Sequence, residues 1–343
     1  MKDIRQLSKE QILENCLEMG EKKFRANQLW EWLWLKSATS FDDMTNLSKS
    51  FRKNLKLNFE ILPVSIANSQ KSSDGTIKYA FRLNDGFLVE GVLIPSKDRV
   101  TACISSQVGC SLSCTFCATG FLKRERNLRL DEIYDQVAIL KQEAEKEYNL
   151  SLSNIVLMGM GEPLLNYANV MAGIQKITSP EGLGMSPQRI TLSTAGIAKM
   201  IKKLGDDGAR FNLALSLHSA NNAKRSAIMP INDSNSLEDL TEAINYFYDK
   251  TGTRLTLEYC VINDINDDNS EADELVTFAR KIRCKINLIE YNPIDLAEFE
   301  ASSIEKVERF ASYLEKHKLI VNVRRSRGKD IDAACGQLAN KLT

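Results

Sequence analysis

Val100-Thr101-Ala102-Cys103-Ile104-Ser105, then Ser106-Gln107-Val108-Gly109, then Cys110-Ser111-Leu112-Ser113-Cys114-Thr115-Phe116-Cys117 is the stretch on which the fold turns. Its first six residues read as a strand. The last eight read as a loop, because Gly109, Gly120 and short polar residues surround the three thiols. A strand opening into such a loop is the start of a βα unit, and the same rhythm runs on down the chain. Strand-like segments recur at 154–160, 189–193, 212–217, 255–262 and 286–291, with one more over 319–323. Helical stretches such as 131–148, 237–248, 270–282 and 303–317 separate them. Six βα-type repeats predict an α/β fold with a parallel sheet, curled by right-handed crossovers toward a barrel. The functional site is expected at the C-terminal strand ends.

Upstream the pattern changes twice. Residues 64–95 alternate in short segments with Ser73-Asp74-Gly75 and Asn84-Asp85-Gly86 at the turns, which predicts a small antiparallel meander. Before about residue 60 the chain reads as helices: Ser8 is a candidate cap, and Trp30, Trp32 and Trp34 lie in a continuous apolar stretch that suits core packing. Three segments follow: a helical accessory domain over 1–60, a β extension over 61–97, and the barrel with a C-terminal cysteine segment over 98–343.

The 343 residues, 43% of them hydrophobic, suffice for one large domain and a smaller one. No apolar run approaches the eighteen or so residues of a membrane helix, and no secretory signal is visible, so a cytoplasmic protein with no membrane contact is expected. Zero net charge argues against a chain that coats nucleic acid over its whole surface. Two local basic segments remain, Lys123-Arg124-Glu125-Arg126 with Arg129, and Arg324-Arg325-Ser326-Arg327-Gly328-Lys329. Eight unevenly spaced cysteines do not resemble a disulfide framework, and in a reducing compartment the clustered ones point to metal ligation or catalysis.

Three thiolates are one too few for a closed four-ligand zinc site, and no partner pair or histidine lies near the loop. A four-iron cluster held by three thiolates keeps one iron free to bind another molecule. The CxxxCxxC spacing of Cys110, Cys114 and Cys117 after a first strand resembles the signature of the radical S-adenosylmethionine (SAM) superfamily. That resemblance implies a partial (βα)6 barrel, a 4Fe–4S cluster on these cysteines, and SAM chelated at the open iron and cleaved to a 5′-deoxyadenosyl radical. Gly159-Met160-Gly161-Glu162-Pro163 resembles the superfamily's GGEP element, which implies that Gly161 and Glu162 receive the methionyl amino group. By the same resemblance Ser193, Ser216, Leu217, His218 and Asn292, all at strand ends, contact SAM.

Two further stretches, Thr101-Ala102-Cys103-Ile104-Ser105-Ser106-Gln107 and Gly328-Lys329-Asp330-Ile331-Asp332-Ala333-Ala334-Cys335-Gly336-Gln337-Leu338, resemble the RlmN and Cfr adenine methyltransferases, and the likeness extends over nearly the whole chain. Radical chemistry suits the substrate, since an electron-poor ring carbon does not attack a sulfonium methyl group. The resemblance implies two SAM molecules per turnover. Cys335 takes a methyl group from the first, and a hydrogen is abstracted from it by the radical from the second. The S-bound methylene then adds to the ring, Cys103 resolves the adduct with formation of a transient disulfide, and Glu90 accepts the ring proton. Lone cysteines otherwise pack in cores, the reading for Cys16, Cys260 and Cys284.

In that family the C2 enzymes methylate adenosine near the peptidyl-transferase centre of 23S rRNA and adenosine at position 37 of certain tRNAs, and Pro163 favours this branch. The helical domain and basic segments are then expected to hold folded RNA with an unstacked adenosine. An electron donor such as flavodoxin or ferredoxin and a monomeric state complete the expectation. Two alternatives stand beside it: a Cfr-like C8 methyltransferase, and a non-catalytic iron–sulfur or zinc protein that binds RNA and senses redox state.

Overall fold

A computed structural model describes residues 1–341. Ten strands form one sheet in sequence order: β1 (Ser65–Lys71), β2 (Ile77–Arg82), β3 (Leu88–Ser96), β4 (Arg99–Cys103), β5 (Leu152–Leu157), β6 (Ile190–Thr194), β7 (Asn212–Ser216), β8 (Leu255–Val261), β9 (Cys284–Glu290) and β10 (Val321–Arg324). The pairs from β1 to β4 are antiparallel. From β4 onward every pair is parallel. The parallel strands are joined by helices α4 (Leu130–Tyr148), α5 (Tyr167–Thr178), α6 (Ala198–Asp206), α7 (Asn222–Ile228) followed by α8 (Leu237–Thr251), α9 (Asn269–Ala279) and α10 (Ile304–Lys316). These are six βα units with one added strand, the partial (βα)6 barrel. The two end strands of the ten-stranded sheet, β1 and β10, do not pair with each other.

The meander is continuous with the barrel, since Ser96 of β3 pairs with Arg99 of β4 across a tight turn at Lys97 and Asp98. Strand alternation sorts the sheet into two faces. Leu257, Tyr259, Ile286 and Leu288 are fully buried on the helix-covered side, where Tyr259 stacks on Phe310 of α10. The pairings Lys78↔Val92, Ala80↔Glu90, Val92↔Cys103, Cys103↔Val156, Ser216↔Glu258 and Ile289↔Arg324 carry the other face. That inner face holds the polar and thiol groups.

The apolar side chains of the N-terminal helices α1 (Lys9–Glu18), α2 (Phe24–Trp34) and α3 (Lys49–Asn58), with Trp30 and Trp34 buried, run on into the core of the barrel. Ser8 caps α1 in a reciprocal box with Gln11. Trp32 is only half-buried, its indole N–H donating to Asn46 at 2.5 Å. Beyond β10 the chain turns back as a tail that spans the open side of the barrel. Gly328 donates to Asp74 (2.9 Å) and Asp330 accepts from Ser72 (2.5 Å), while the N–H groups of Ala339 and Asn340 reach Glu90.

Candidate functional site

The C-terminal strand ends line a cavity that opens to solvent. Cys110, Cys114, Cys117, Gly161, Glu162, Ser193, Ser216, His218, Glu258, Cys260 and Cys335 all contribute to its lining. A second cavity adjoins it, lined by Cys103, Arg324 and the tail from Ala333 to Gly336. Met158, Ile289, Cys335 and Gly336 belong to both linings. Cys335 therefore stands between a chamber with three clustered thiols and a chamber with Cys103.

The cysteine loop is held by its own backbone and by its neighbours. Cys117 N–H donates to the Cys114 carbonyl (3.3 Å), Thr115 N–H to the Ile228 carbonyl of α7 (3.0 Å), and Ala118 N–H to the Gly336 carbonyl of the tail (2.7 Å). A Cβ on Gly120 would lie 2.5 Å from the Cys114 carbonyl oxygen, so only glycine lets the loop close there. Burial pushes the Cys110 thiol up to about 11, and raises Cys114 and Cys117 too; in Cys114 the neighbouring thiols add to the effect. Bound iron would offset that cost. Among the described residues no three acid, imidazole or thiol groups close on a single-ion site; the three thiols line the cavity wall instead. Three soft donors on one face suit a 4Fe–4S cluster with one iron free of protein ligands.

Glu162 is buried, and burial pushes its carboxyl up to about 7 against the bonds it accepts from Ala195 N–H (2.7 Å) and Leu164 N–H (2.9 Å). A carboxylate in such a place favours a cationic occupant, and the ammonium of SAM fits. Ser193 and Ser216 hydroxyls lie 3.4 Å apart on adjacent strands. His218 sits at φ 56°, and its Nδ1 accepts the Cys260 N–H at 2.9 Å, which leaves the ring proton on Nε2. Burial, with Arg225 adding, holds it near 3, so it is a neutral donor. Leu217 and Asn292 do not line the cavity. Leu217 donates its N–H to the Glu258 carbonyl (2.9 Å), and Asn292 donates to the Cys335 carbonyl (3.3 Å), with Oδ1 buried and unpartnered.

Cys103 and Cys335 are free thiols that line the same chamber. Burial pushes Cys103 up to about 12, with Cys335 adding; Cys335 is an exposed residue, and partial desolvation of its thiol by the cavity walls raises it as well. Arg324 opposes the shift in both. Its guanidinium is held by Glu258 at 3.3 Å. Glu90 is fully buried, not a solvated charge. Its Oε2 accepts Ala339 N–H (2.8 Å) and Asn340 N–H (3.1 Å), while Oε1 has no hydrogen bond and faces buried Lys78 at 3.7 Å.

Cys260 packs in a small buried apolar cluster with Ile262 and Tyr291, as expected, and it also forms part of the wall of the first cavity beside Glu258. Lys78, Arg225 and Glu258 belong to none of the sequence motifs. A polar residue alternating through an apolar strand was the available signal for Glu258; Arg324 was seen only as part of a basic run. That run is largely neutralised, Arg325 by Glu290 (2.6 Å) and Glu308 (2.9 Å), and Lys329 by Glu290 (2.8 Å). Arg126 and Arg129 likewise pair with Glu132 (2.7 Å) and Asp131 (2.8 Å).

Residues 2–61 match the family described as ribosomal RNA large subunit methyltransferase N-terminal domain, and residues 104–276 match the radical SAM superfamily. Over 340 residues the chain is 59% identical to a probable dual-specificity RNA methyltransferase RlmN of Cytophaga hutchinsonii, covering 99% of this chain and 93% of that protein. The corresponding protein of Christiangramia forsetii is 58% identical, with 99% and 97% covered. A crystal structure of a radical SAM methyltransferase from Sphaerobacter thermophilus superposes with a TM-score of 0.93 at 37% identity, covering 98% of this chain and 99% of that one.

Proposed function

Because the chain belongs to the RlmN family of radical SAM RNA methyltransferases, we propose that it methylates C2 of adenosine in 23S rRNA and in tRNA through an S-methylated Cys335. The observation that carries this reading is the position of Cys335 in the lining of both cavities. One side chain thereby serves the chamber of the cluster thiols and the chamber of Cys103.

Cys110, Cys114 and Cys117 would hold the 4Fe–4S cluster, and Gly161, Glu162, Ser193, Ser216 and His218 would hold SAM, with Leu217 and Asn292 shaping the site from behind. When bound, cluster and SAM supply a methyl group and, after one-electron reduction, a carbon radical. Glu162 offers a carboxylate to the amino group, and neutral His218 offers Nε2–H without adding charge. Cys335 takes the methyl group on sulfur and presents that carbon to the adenine ring. Cys103 then attacks the Cys335 sulfur: an S–S bond forms, the sulfur–carbon bond breaks, and the carbon keeps the electron pair and takes up a proton. Glu90 receives the ring proton through Oε1, the oxygen left without a hydrogen bond.

The helical domain at residues 1–60 and exposed Lys123 and Arg124 would contact the RNA, while Arg126, Arg129, Arg324, Arg325 and Lys329 are ion-paired with acidic side chains of the protein. A flavodoxin or ferredoxin would supply the electrons to a monomeric, cytoplasmic enzyme. Among the described residues no helix is long and apolar enough to cross a membrane. Anaerobic reconstitution with iron and sulfide should give the charge-transfer absorption of a four-iron cluster and SAM cleavage on reduction. Nucleosides from a methylation-deficient strain complemented with this chain should contain 2-methyladenosine. Appearance of 8-methyladenosine alone would transfer the reading to the Cfr branch; one zinc per chain with no SAM cleavage would replace it with a binding protein.

A further inference from the structure

Arg225, on α7, is fully buried, yet it forms no ion pair among the described residues. Every group it touches is neutral: Nε donates to the Leu217 carbonyl (3.1 Å), Nη1 to Asn232 Oδ1 (2.9 Å), and Nη2 to the carbonyls of Ala195 (2.6 Å) and Ser216 (3.2 Å). An isolated buried charge is costly, and proteins normally answer it with a counter-charge. Hydrogen bonds to carbonyl oxygens lower that cost without balancing the charge.

The missing anion has an evident place. Ala195, whose carbonyl Arg225 grips, packs with Ile228 and Met229 against Cys114 and Phe116 of the cysteine loop. Thr115, beside Cys114, donates its N–H to the carbonyl of Ile228 on the same short helix as Arg225. Three thiolates on a four-iron core carry net negative charge in either redox state, and one electron adds another.

Resting on the cluster assignment above, we infer that Arg225 is a positioning residue whose buried positive charge balances the cluster held by Cys110, Cys114 and Cys117 and raises its reduction potential, while its fork ties the Ala195 and Ser216–Leu217 strand ends around the SAM site. Cluster potentials respond to net charge, hydrogen bonding and solvent exposure. A cation close by favours the reduced, more negative form, so its removal makes reduction harder.

The test is a potentiometric titration of the reconstituted full-length protein, followed by electron paramagnetic resonance of the reduced cluster. Wild type, Arg225→Lys and Arg225→Gln are compared, each with its iron content measured. The charge-neutral Arg225→Gln should shift the midpoint to lower potential, and Arg225→Lys should stay near wild type. A wild-type midpoint in cluster-loaded Arg225→Gln overturns the inference. If Arg225→Gln holds no cluster while Arg225→Lys holds a full one, charge is needed for assembly and the inference stands. If both lose the cluster, the fork's bonding matters and its charge does not, which overturns it. Failure of the wild-type chain to assemble a four-iron cluster is a different outcome, and it removes the functional reading itself.

Discussion

Gly161 has φ +94°, and a Cβ there would lie 2.5 Å from Gln107 Cβ. Gln107 is not free to retreat, because its Oε1 holds the Glu162 N–H at 2.8 Å. Gly161→Ala therefore strains the backbone by about 1–3 kcal/mol and displaces the carboxylate meant for the SAM amino group. SAM affinity, measured by titration calorimetry on the cluster-loaded protein, should fall by roughly tenfold or more; unchanged affinity would remove Glu162 from the site. The two thiols proposed as catalytic separate by a different measurement. Cys103→Ala should accept the methyl group, add to RNA and remain covalently attached, visible as a shifted band removed by nuclease, whereas Cys335→Ala should form no adduct. Normal turnover by Cys103→Ala would end its assignment as the resolving residue.

At the scale of elements, the tail after β10 does what no single strand does: it spans from one open edge of the barrel to the meander beside the other. Buried Lys78 reaches the Asp332 carbonyl at 3.3 Å and stands 3.7 Å from Glu90, which grips the tail's N–H groups. Lys78→Met would strand the Glu90 carboxylate in the interior, a loss of about 3–5 kcal/mol for a broken buried pair. Urea unfolding should show that loss, and hydrogen exchange should speed up across the tail amides. Adding Glu90→Gln should recover part of the stability, because it removes the stranded charge; no recovery would mean that the pair is not coupled. The βα rhythm and the cysteine loop were legible in the sequence because period and spacing are local properties. The tail's contacts were not, since Lys78 and Asp332 meet across 254 residues and nothing near either one announces the other. The place of Cys260 in the cavity wall was illegible for the same reason: a cysteine in an apolar strand looks alike on either face until register settles which face is polar.

At the scale of the whole molecule, the helical unit is fastened to the barrel by a buried charge cluster. Arg5 meets Asp135 at 2.7 Å, Asp3 at 3.2 Å and Asp131 at 3.4 Å, and burial raises the Asp135 carboxyl against the pull of Arg5. Around it, Trp34 packs edge-on against Tyr134 of α4 at 5.1 Å, and Lys176 of α5 lies 3.7 Å over the Trp30 ring. The sequence boundary near residue 60 marks a change of pattern, but the structure makes the docking a property of residues far apart. Arg5→Met leaves three carboxylates facing one another, only Asp131 keeping a cation, Arg129 at 2.8 Å. The expected cost is about 3–5 kcal/mol at neutral pH. It should shrink on acidification, because a carboxyl raised by burial is stable while protonated and loses that stability as the pH climbs through its folded value. All three tryptophans lie in α2, so their fluorescence reports the helical unit while far-ultraviolet circular dichroism reports the whole chain. In urea the two signals should coincide for wild type and separate for Arg5→Met, with the fluorescence transition moving to lower denaturant. Coincident, unshifted curves would mean that aromatic and cation–π packing holds the unit in place and that the charge cluster is incidental to it.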